Sequence, residues 1–297
     1  MGDLKKQKRT RKIVQLLNAL LTNAYLPGFL KGTIYEGPLK KFCVPGMNCY
    51  SCPGALGACP IGSLQAFFGA RRPRFAFYVT GFLALIGVLA GRFICGWLCV
   101  FGLIQELLYK IPSKKVTVPE KLDKALRKLK YVFLAVFVVI LPVILRDEFG
   151  VSLPYFCQWI CPVGMLEGGV PLALLNEGIR AAAHWLYAWK LFILLFILVL
   201  SVFIYRPFCK YICPLGAFYS LFQRFSFLQL RCDKNACTDC GLCAKTCRMQ
   251  VDPSKASKSA ECIRCGECVS ACPSRALSMS FVNKQKTKNE DKEKAAG

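Results

Sequence analysis

The chain has 297 residues, of which 55% are hydrophobic, 19% are charged and 19 are cysteine, and its formal net charge is +23. The high apolar fraction excludes a disordered chain, and so little charge argues against an ordinary soluble enzyme. The positive charge has two explanations, which are nucleic-acid binding and the basic cytoplasmic loops of a membrane protein. The cysteines are either disulfides or metal ligands, and their spacing distinguishes the two.

Four apolar stretches predict membrane spans, at residues 13–30, 75–91, 131–145 and 191–205. A helix of about 20 apolar residues crosses the hydrocarbon core, and a shorter one suffices where Lys or Arg flanks reach the headgroups. The first stretch is the weakest candidate, because it contains Gln15, Asn18, Thr22 and Asn23. The alternatives are core helices of a soluble protein and, for residues 1–30, a re-entrant segment or a cleaved signal peptide.

The distribution of Lys and Arg predicts the orientation. The N-terminus, residues 95–130 and the chain after Tyr205 are basic, whereas residues 146–184 contain only Arg146 and Arg180. We therefore expect a multi-pass protein of the cytoplasmic (inner) membrane, embedded in the lipid bilayer, with both termini cytoplasmic. Residues 31–74 disagree, because they should lie outside but contain six basic residues. Cytoplasmic segments thus account for most of the charge, and we expect no nucleic-acid partner.

The C-terminal end carries a duplicated cysteine motif. Residues 237–247 read C-x2-C-x2-C-x3-C, and residues 262–272 repeat this pattern. Bacterial two-cluster ferredoxins have this spacing, and in them the fourth cysteine of each run ligates the other [4Fe–4S] cluster. Zinc or disulfides fit poorly, since zinc sites use separated cysteine pairs. The expected ligand sets are Cys237, Cys240, Cys243 and Cys272 for one cluster, and Cys262, Cys265, Cys268 and Cys247 for the other.

The apolar part contains four copies of a shorter pattern, Cys-x-x-Gly, which begin at Cys59, Cys99, Cys161 and Cys213. Another cysteine precedes each copy: Cys95, Cys157 and Cys209 lie four residues before their partners, and Cys49 and Cys52 precede Cys59. Internal repetition predicts four half-sites with about two thiolates each, so two facing half-sites would supply the four ligands of a cubane. A proline follows three of the four second cysteines, with Val100 as the exception, and predicts that a new helix begins there.

The position of these cysteines relative to the spans predicts how the half-sites pair. Cys95, Cys99, Cys209 and Cys213 follow the second and fourth spans and would hold a cluster toward the cytoplasm. Cys157 and Cys161, with two of Cys49, Cys52 and Cys59, would hold another toward the outside. We thus expect one or two [4Fe–4S] clusters beyond the ferredoxin pair, with Cys43 and Cys232 unassigned. The alternatives are buried free cysteines and disulfides in the outer loop.

These motifs resemble the four-span membrane-bound ferredoxin family found beside periplasmic nitrate reductase. The electron-donating membrane proteins of nitrous oxide reductase systems share the C-x3-C-P elements. The resemblance covers most of residues 13–280 and includes the segment Asn-Cys-Tyr-Ser-Cys-Pro-Gly-Ala at residues 48–55. It implies electron transfer across or along the cytoplasmic membrane, often drawing on the quinone pool. Val100 departs from the Cys-Pro pattern.

We therefore expect an α-helical polytopic membrane protein of about four spans with a C-terminal α+β ferredoxin-like domain that holds two [4Fe–4S] clusters. The expected divisions are a basic cytoplasmic N-terminus (1–12), a transmembrane domain with four cysteine half-sites (13–230), a ferredoxin domain (231–282) and a disordered tail (283–297).

The expected function is electron transfer between a cytoplasmic donor or acceptor, or the quinone pool, and a membrane or extracytoplasmic redox protein. No nucleotide-binding or nucleophile motif is present, so the chain reads as an electron-transfer subunit without substrate chemistry of its own. The alternative is a redox sensor or a metalloenzyme assembly factor that uses the clusters. A quinone is a further candidate cofactor, and His184 is either an acceptor of its proton or part of an interfacial aromatic belt. Basic residues of the ferredoxin segment suit an acidic redox partner or reflect the cytoplasmic charge bias.

Overall fold

A computed structural model describes residues 2–70, 76–147, 152–181 and 184–281, and within them the chain is mostly helical. The predicted disordered tail lies outside the described residues. The α-helices are α1 (Gly2–Thr22), α2 (Leu26–Lys31), α3 (Pro60–Gly69), α4 (Ala76–Ala90), α5 (Phe93–Trp97), α6 (Val100–Leu108), α7 (Glu120–Phe133), α8 (Leu141–Ile144), α9 (Tyr155–Trp159), α10 (Pro162–Gly164), α11 (Val170–Leu175), α12 (Glu177–Ala181), α13 (Trp185–Phe203), α14 (Pro207–Tyr211), α15 (Pro214–Phe222), α16 (Leu242–Thr246) and α17 (Glu267–Ala271). A 3-10 turn covers Pro38–Lys41, and π-helical segments cover Leu134–Ile140 and Met165–Gly169.

The cysteine half-sites share one local structure. Cys95, Cys157 and Cys209 lie in the five-residue helices α5, α9 and α14. The second cysteine of each pair, like Cys59, is extended and directly precedes the next helix. A proline at the first helical position is favourable because its missing N–H has no partner there in any case. The helix start predicted at each Cys-Pro is therefore present, and Val100 occupies the same position in α6.

One helix within the described residues, α13, is long and apolar enough to cross a membrane, with a mean hydropathy of 2.4. It leaves Phe192, Leu195, Phe196 and Val199 more than half exposed, which is unusual for a soluble surface. The apolar helices at Phe77–Ala90 and Pro162–Leu175 are shorter. The prediction of four spans is thus not confirmed by helix length and composition.

Helix α1 accounts for the polar residues of the first apolar stretch. Gln15 Nε2 donates to the carbonyl of Gly96 at 3.1 Å, and Asn18 Nδ2 donates to the carbonyl of Leu98 at 2.7 Å. Both acceptors lie at the end of α5, so the polar side of α1 faces protein. The helix also continues through the basic N-terminus, and no element boundary coincides with the division predicted at residue 12.

The C-terminal part has the α+β character predicted from its motif. Strand β1 (Leu228–Cys232) pairs antiparallel with β2 (Leu277–Phe281), and Cys232 lies opposite Leu277. In the sequence, the short helices α16 and α17 lie between these two strands. In the structure, the two helices pack against each other. Strand β1 begins three residues before the domain boundary predicted at residue 231, which itself stays a prediction.

Candidate iron–sulfur sites

Eighteen of the 19 cysteines lie at four sites in the structure, and the motifs and half-sites assign 16 of them to four sets of four. Site A contains Cys237, Cys240, Cys243 and Cys272; site B contains Cys247, Cys262, Cys265 and Cys268; site C contains Cys95, Cys99, Cys209 and Cys213; site D contains Cys49, Cys59, Cys157 and Cys161. Cys43, Cys52 and Cys232 are outside these sets.

Sites A and B reproduce the crossed arrangement of the two motifs. Cys247 follows α16 but lines the cavity of site B, and Cys272 follows α17 but lines the cavity of site A. Gly241 and Gly266 precede α16 and α17 with φ values of +67° and +78°, a conformation that favours glycine. These turns wrap each Cys-x-x-Cys-x-x-Cys loop around its cavity. Cys232 also lines the cavity of site A, which the motif spacing alone does not indicate.

Site C joins the half-sites that follow the second and fourth predicted spans. All four thiols are buried, and they lie close enough to act electrostatically on one another. The backbone N–H of Gly216 donates to Cys213 Sγ at 3.3 Å, at the start of α15. The structure thus brings together the four cysteines that the topology argument paired.

The sequence left Cys49, Cys52 and Cys59 as alternatives for site D, and the structure brings two of them, Cys49 and Cys59, to the site. Cys49 and Cys59 line a cavity of about 630 Å³ together with Cys157 and Cys161. Cys52 is not among the lining residues, and its Sγ contacts Asn23 Oδ1 at 3.6 Å.

Two further groups lie at the edge of site D. The thiol of Cys43 also lines the cavity and contacts Ser63 Oγ at 3.5 Å. Glu167 Oε2 accepts a hydrogen bond from the backbone N–H of Cys49 at 2.6 Å. Burial raises the pKa of Glu167 to about 8 despite that hydrogen bond.

The surroundings of site C suit an anionic cofactor. Arg92 and Arg206 are fully buried, and their Nε atoms have no hydrogen-bond partner among the residues that the structure describes. Arg92 Nη2 donates to the carbonyl of Cys209 at 3.3 Å, and Arg206 Nη1 donates to the carbonyl of Cys95. Each arginine also pairs with a carboxylate, Arg92 with Glu261 and Arg206 with Glu106, so the guanidinium groups are held in the charged form beside the thiols. A [4Fe–4S] cluster with four thiolate ligands is negatively charged, and positive charge at this position would favour its binding. The residues present therefore fit the cofactor.

The same thiols do not converge on a single ion. Within the described ranges, no three His, Cys, Asp or Glu side chains are grouped as ligands of one metal ion. A cubane differs from such a site because each thiolate binds its own iron corner. Four buried thiols that lie close together are the donor set that this cofactor requires.

Close packing connects neighbouring sites. Arg92 bridges sites B and C, since its Nη1 donates to the carbonyl of Ala260 and pairs with Glu261, both next to Cys262. A Cβ at Gly96, beside Cys95, would lie 2.3 Å from the carbonyl oxygen of Ile263, so only glycine permits this approach. Residues 43–49 connect sites C and D, because Gly46 packs against Cys99 and the segment ends at Cys49 of site D.

Buried ion pairs fasten the ferredoxin part to the rest of the chain. Glu106 pairs with Arg11 and Arg206, each at 2.9 Å, and Arg11 also reaches Glu267 of α17 at 3.0 Å. Burial alone would raise the pKa of Glu106, but Arg206 and Arg11 outweigh it and hold the pKa below its ordinary value. The carboxylate thus stays ionised and compensates both arginines.

Lys130 forms a second buried ion pair of this kind, with Glu261 at 2.6 Å. His184 is exposed at the start of α13. Of the basic residues that would suit an acidic redox partner, Lys245, Lys255 and Lys258 are exposed, whereas Arg264 is buried beside site B and donates to the carbonyls of Ala90 and Gln223. The sequence argument missed the roles of Arg92, Arg206 and Glu106, although the first two directly precede the cysteine helices α5 and α14.

Comparison with known protein families gives separate matches for the half-site region and for the ferredoxin region of the chain. A family described as "4Fe-4S binding domain" matches residues 72–119, 131–170 and 187–231, and a second of the same description matches residues 259–278. Each of the first three segments contains one C-x3-C pair. Three of the four half-sites and the second cysteine run of the ferredoxin motif therefore lie within segments that match iron–sulfur families.

Three relatives extend this match. The uncharacterized protein MJ0750 of Methanocaldococcus jannaschii is 36% identical over 213 residues, which cover 69% of this chain and 79% of that protein. The putative electron transport protein YccM of Escherichia coli is 30% identical over 64% of this chain and 51% of its own length. The methylamine utilization ferredoxin-type protein MauN of Paracoccus denitrificans is 29% identical over 71% of this chain and 69% of its own length. No solved structure matches the chain.

The fold and the cysteine sites define an iron–sulfur protein. The chain belongs to the 4Fe-4S binding family of ferredoxin-type proteins, which confirms the resemblance inferred from its motifs.

Proposed function

We propose that the protein is a membrane-bound electron-transfer protein that holds four [4Fe–4S] clusters in sites A to D. The observation that carries this proposal is that 18 cysteines lie at four sites, each with at least the four thiols that a cubane requires. The ferredoxin and electron-transport names of the relatives support electron transfer as the general role. A bound [4Fe–4S] cluster supplies one-electron chemistry at each site.

The contacts between neighbouring sites support a linear order from site A to site D. Sites A and B share the crossed motifs, Arg92 bridges sites B and C, and residues 43–49 join sites C and D. Site A lies at the exposed end, where Cys240 is accessible, and site D opens to a cavity at the other end. This order suits the passage of electrons between a redox protein at site A and a partner at site D.

The membrane arrangement belongs to the same proposal. Four spans with cytoplasmic termini would place site A toward the cytoplasm and site D toward the outer side of the inner membrane. The apolar exposed face of α13 and the basic segments support contact with lipid. The cavity at site D falls within the usual size range of small-molecule sites, and a quinone is the ligand we propose for the part beyond the thiols.

Proteoliposomes test whether electrons pass through the protein from one side of the membrane to the other. Ferricyanide is trapped inside, dithionite is added outside, and the loss of ferricyanide absorbance is followed for wild type, for Cys95→Ser/Cys213→Ser and for the control Cys52→Ser. We expect wild type and Cys52→Ser to reduce the trapped ferricyanide, and the double variant to match protein-free liposomes because site C is lost. Wild type that is no faster than protein-free liposomes would contradict the proposal.

A further inference from the structure

Two glutamines make the same pair of contacts at sites C and D. At site C, Gln105 Nε2 donates to Cys209 Sγ at 3.1 Å, and Gln105 Oε1 accepts from the backbone N–H of Phe208 at 3.2 Å. At site D, Gln65 Nε2 donates to Cys157 Sγ at 3.1 Å, and its Oε1 accepts from the N–H of Phe156 at 2.8 Å. In each site, a glutamine of one half-site thus holds the first cysteine of the facing half-site.

The second contact fixes which end of the amide faces the sulfur. A backbone N–H can only donate, so it must meet the amide oxygen, and the NH2 group is then turned toward the thiol. Both glutamines are buried, with exposures of 1% for Gln65 and 0% for Gln105, so water does not compete for these contacts. The geometry therefore presents an oriented hydrogen-bond donor to one sulfur at each site.

The repeat shows that this contact is specific to two half-sites. Gln65 and Gln105 lie six residues after Cys59 and Cys99, and the equivalent positions after Cys161 and Cys213 are Glu167 and Tyr219. Glu167 accepts from the N–H of Cys49, and Tyr219 Oη donates to the carbonyl of Pro45 at 2.8 Å. In each site, the residue at this position of one half-site therefore donates to a thiol, and the equivalent residue of the other half-site hydrogen-bonds to a backbone group.

We propose that Gln105 and Gln65 are positioning residues that raise the reduction potentials of the clusters in sites C and D, respectively. A hydrogen bond to a cysteine sulfur stabilises the more electron-rich, reduced form of a cluster, and such bonds are a recognised determinant of potential. The reduction potential of each cluster would then depend on its own glutamine. This inference rests on the proposed function, because it requires clusters at both sites.

The test compares wild type with Gln105→Met and Gln65→Met, which keep side-chain length and remove the donor without adding charge. Protein purified without oxygen is assayed for iron and titrated with a reductant while electron paramagnetic resonance signals are recorded. We expect about 16 iron atoms in each protein, a lower potential for one cluster in Gln105→Met, and a lower potential for a different cluster in Gln65→Met. Each variant serves as the matched control for the other.

A third variant tests the size of the effect. Gln105→Glu in its ionised form keeps the oxygen that accepts from Phe208, removes the donor to Cys209 and adds a negative charge, so it should lower the potential of the site C cluster by more than Gln105→Met does. Unchanged potentials at full iron content would overturn the inference and leave the proposed function intact. Loss of iron without a shift in the remaining signals would also overturn it, because the glutamines would then be structural. About 8 iron atoms in wild type would overturn both claims.

Discussion

At the scale of single residues, Cys49 and Cys52 show what spacing leaves open. They are three residues apart, Cys49 is half-buried and Cys52 is buried, and either could reach a cluster by chain length alone. The structure directs Cys49 into the cavity with Cys157 and Cys161, and it directs Cys52 toward Asn23 at the end of α1. The choice depends on contacts with α1, which no local pattern encodes.

Serine substitution tests this choice. Cys49→Ser removes one ligand of site D, so we expect a loss of about 4 iron atoms per chain, whereas Cys52→Ser should keep the wild-type content. Iron assay of the two variants, purified in parallel without oxygen, gives the result. Equal loss in both variants would show that Cys52 is also a ligand.

At the scale of elements, the break between the two cysteines of each half-site follows from the Cys-Pro dipeptide. Cys99 has the same extended conformation as the cysteines that precede proline, with φ −72° and ψ 118°, although Val100 follows it. The residue before a proline requires such a conformation, and the first helical N–H needs no partner within the helix. A proline at residue 100 is therefore compatible with the backbone conformation that the structure has there.

Val100→Pro should be tolerated and should stabilise the fold by about 0.4–1 kcal/mol, because it restricts the unfolded chain. The control Leu103→Pro lies inside α6, where a proline removes a helical hydrogen bond and should cost about 3 kcal/mol. Thermal unfolding in detergent compares the two. A clear fall in the Tm of Val100→Pro would show that the backbone at this half-site differs from the other three.

At the scale of the whole molecule, buried ion pairs connect the C-terminal ferredoxin region, from β1 to β2, with the helices that precede it. Glu106 is 3% exposed and lies between Arg11 and Arg206, and Arg11 continues to Glu267 of α17. The removal of one partner from a buried network leaves uncompensated charges, which typically costs about 3–5 kcal/mol.

We therefore expect Glu106→Gln to lower the free energy of unfolding by about this amount and to expose the ferredoxin part to protease. Glu177→Gln is the matched control, because the pair between Glu177 and Arg180 is solvent-exposed and screened. The measurements are thermal unfolding and limited proteolysis of both variants in detergent. Equal behaviour of the two variants would mean that the buried pairs do not hold the domain in place.

The sequence predicts more of the sites than of the contacts that surround them. Repetition and spacing identify the ferredoxin motifs, and the order of half-sites along the chain predicts the pairing of Cys95 with Cys209. The glutamine contacts and the Arg11–Glu106 pair were missed, because they join residues 92 to 104 positions apart. The predicted spans are the least supported part, because α4 has only 15 residues and residues 131–144 of the third stretch are divided among α7, a π-helical segment and α8.

The measurement that tests the central claim most directly is iron and acid-labile sulfide per chain, on protein purified without oxygen, for wild type and for Cys95→Ser/Cys213→Ser. Four cubanes predict about 16 iron atoms in wild type and about 12 in the double variant, since site C alone is lost. A value near 8 that is unchanged by the substitutions would contradict the account, because the clusters would then be confined to sites A and B.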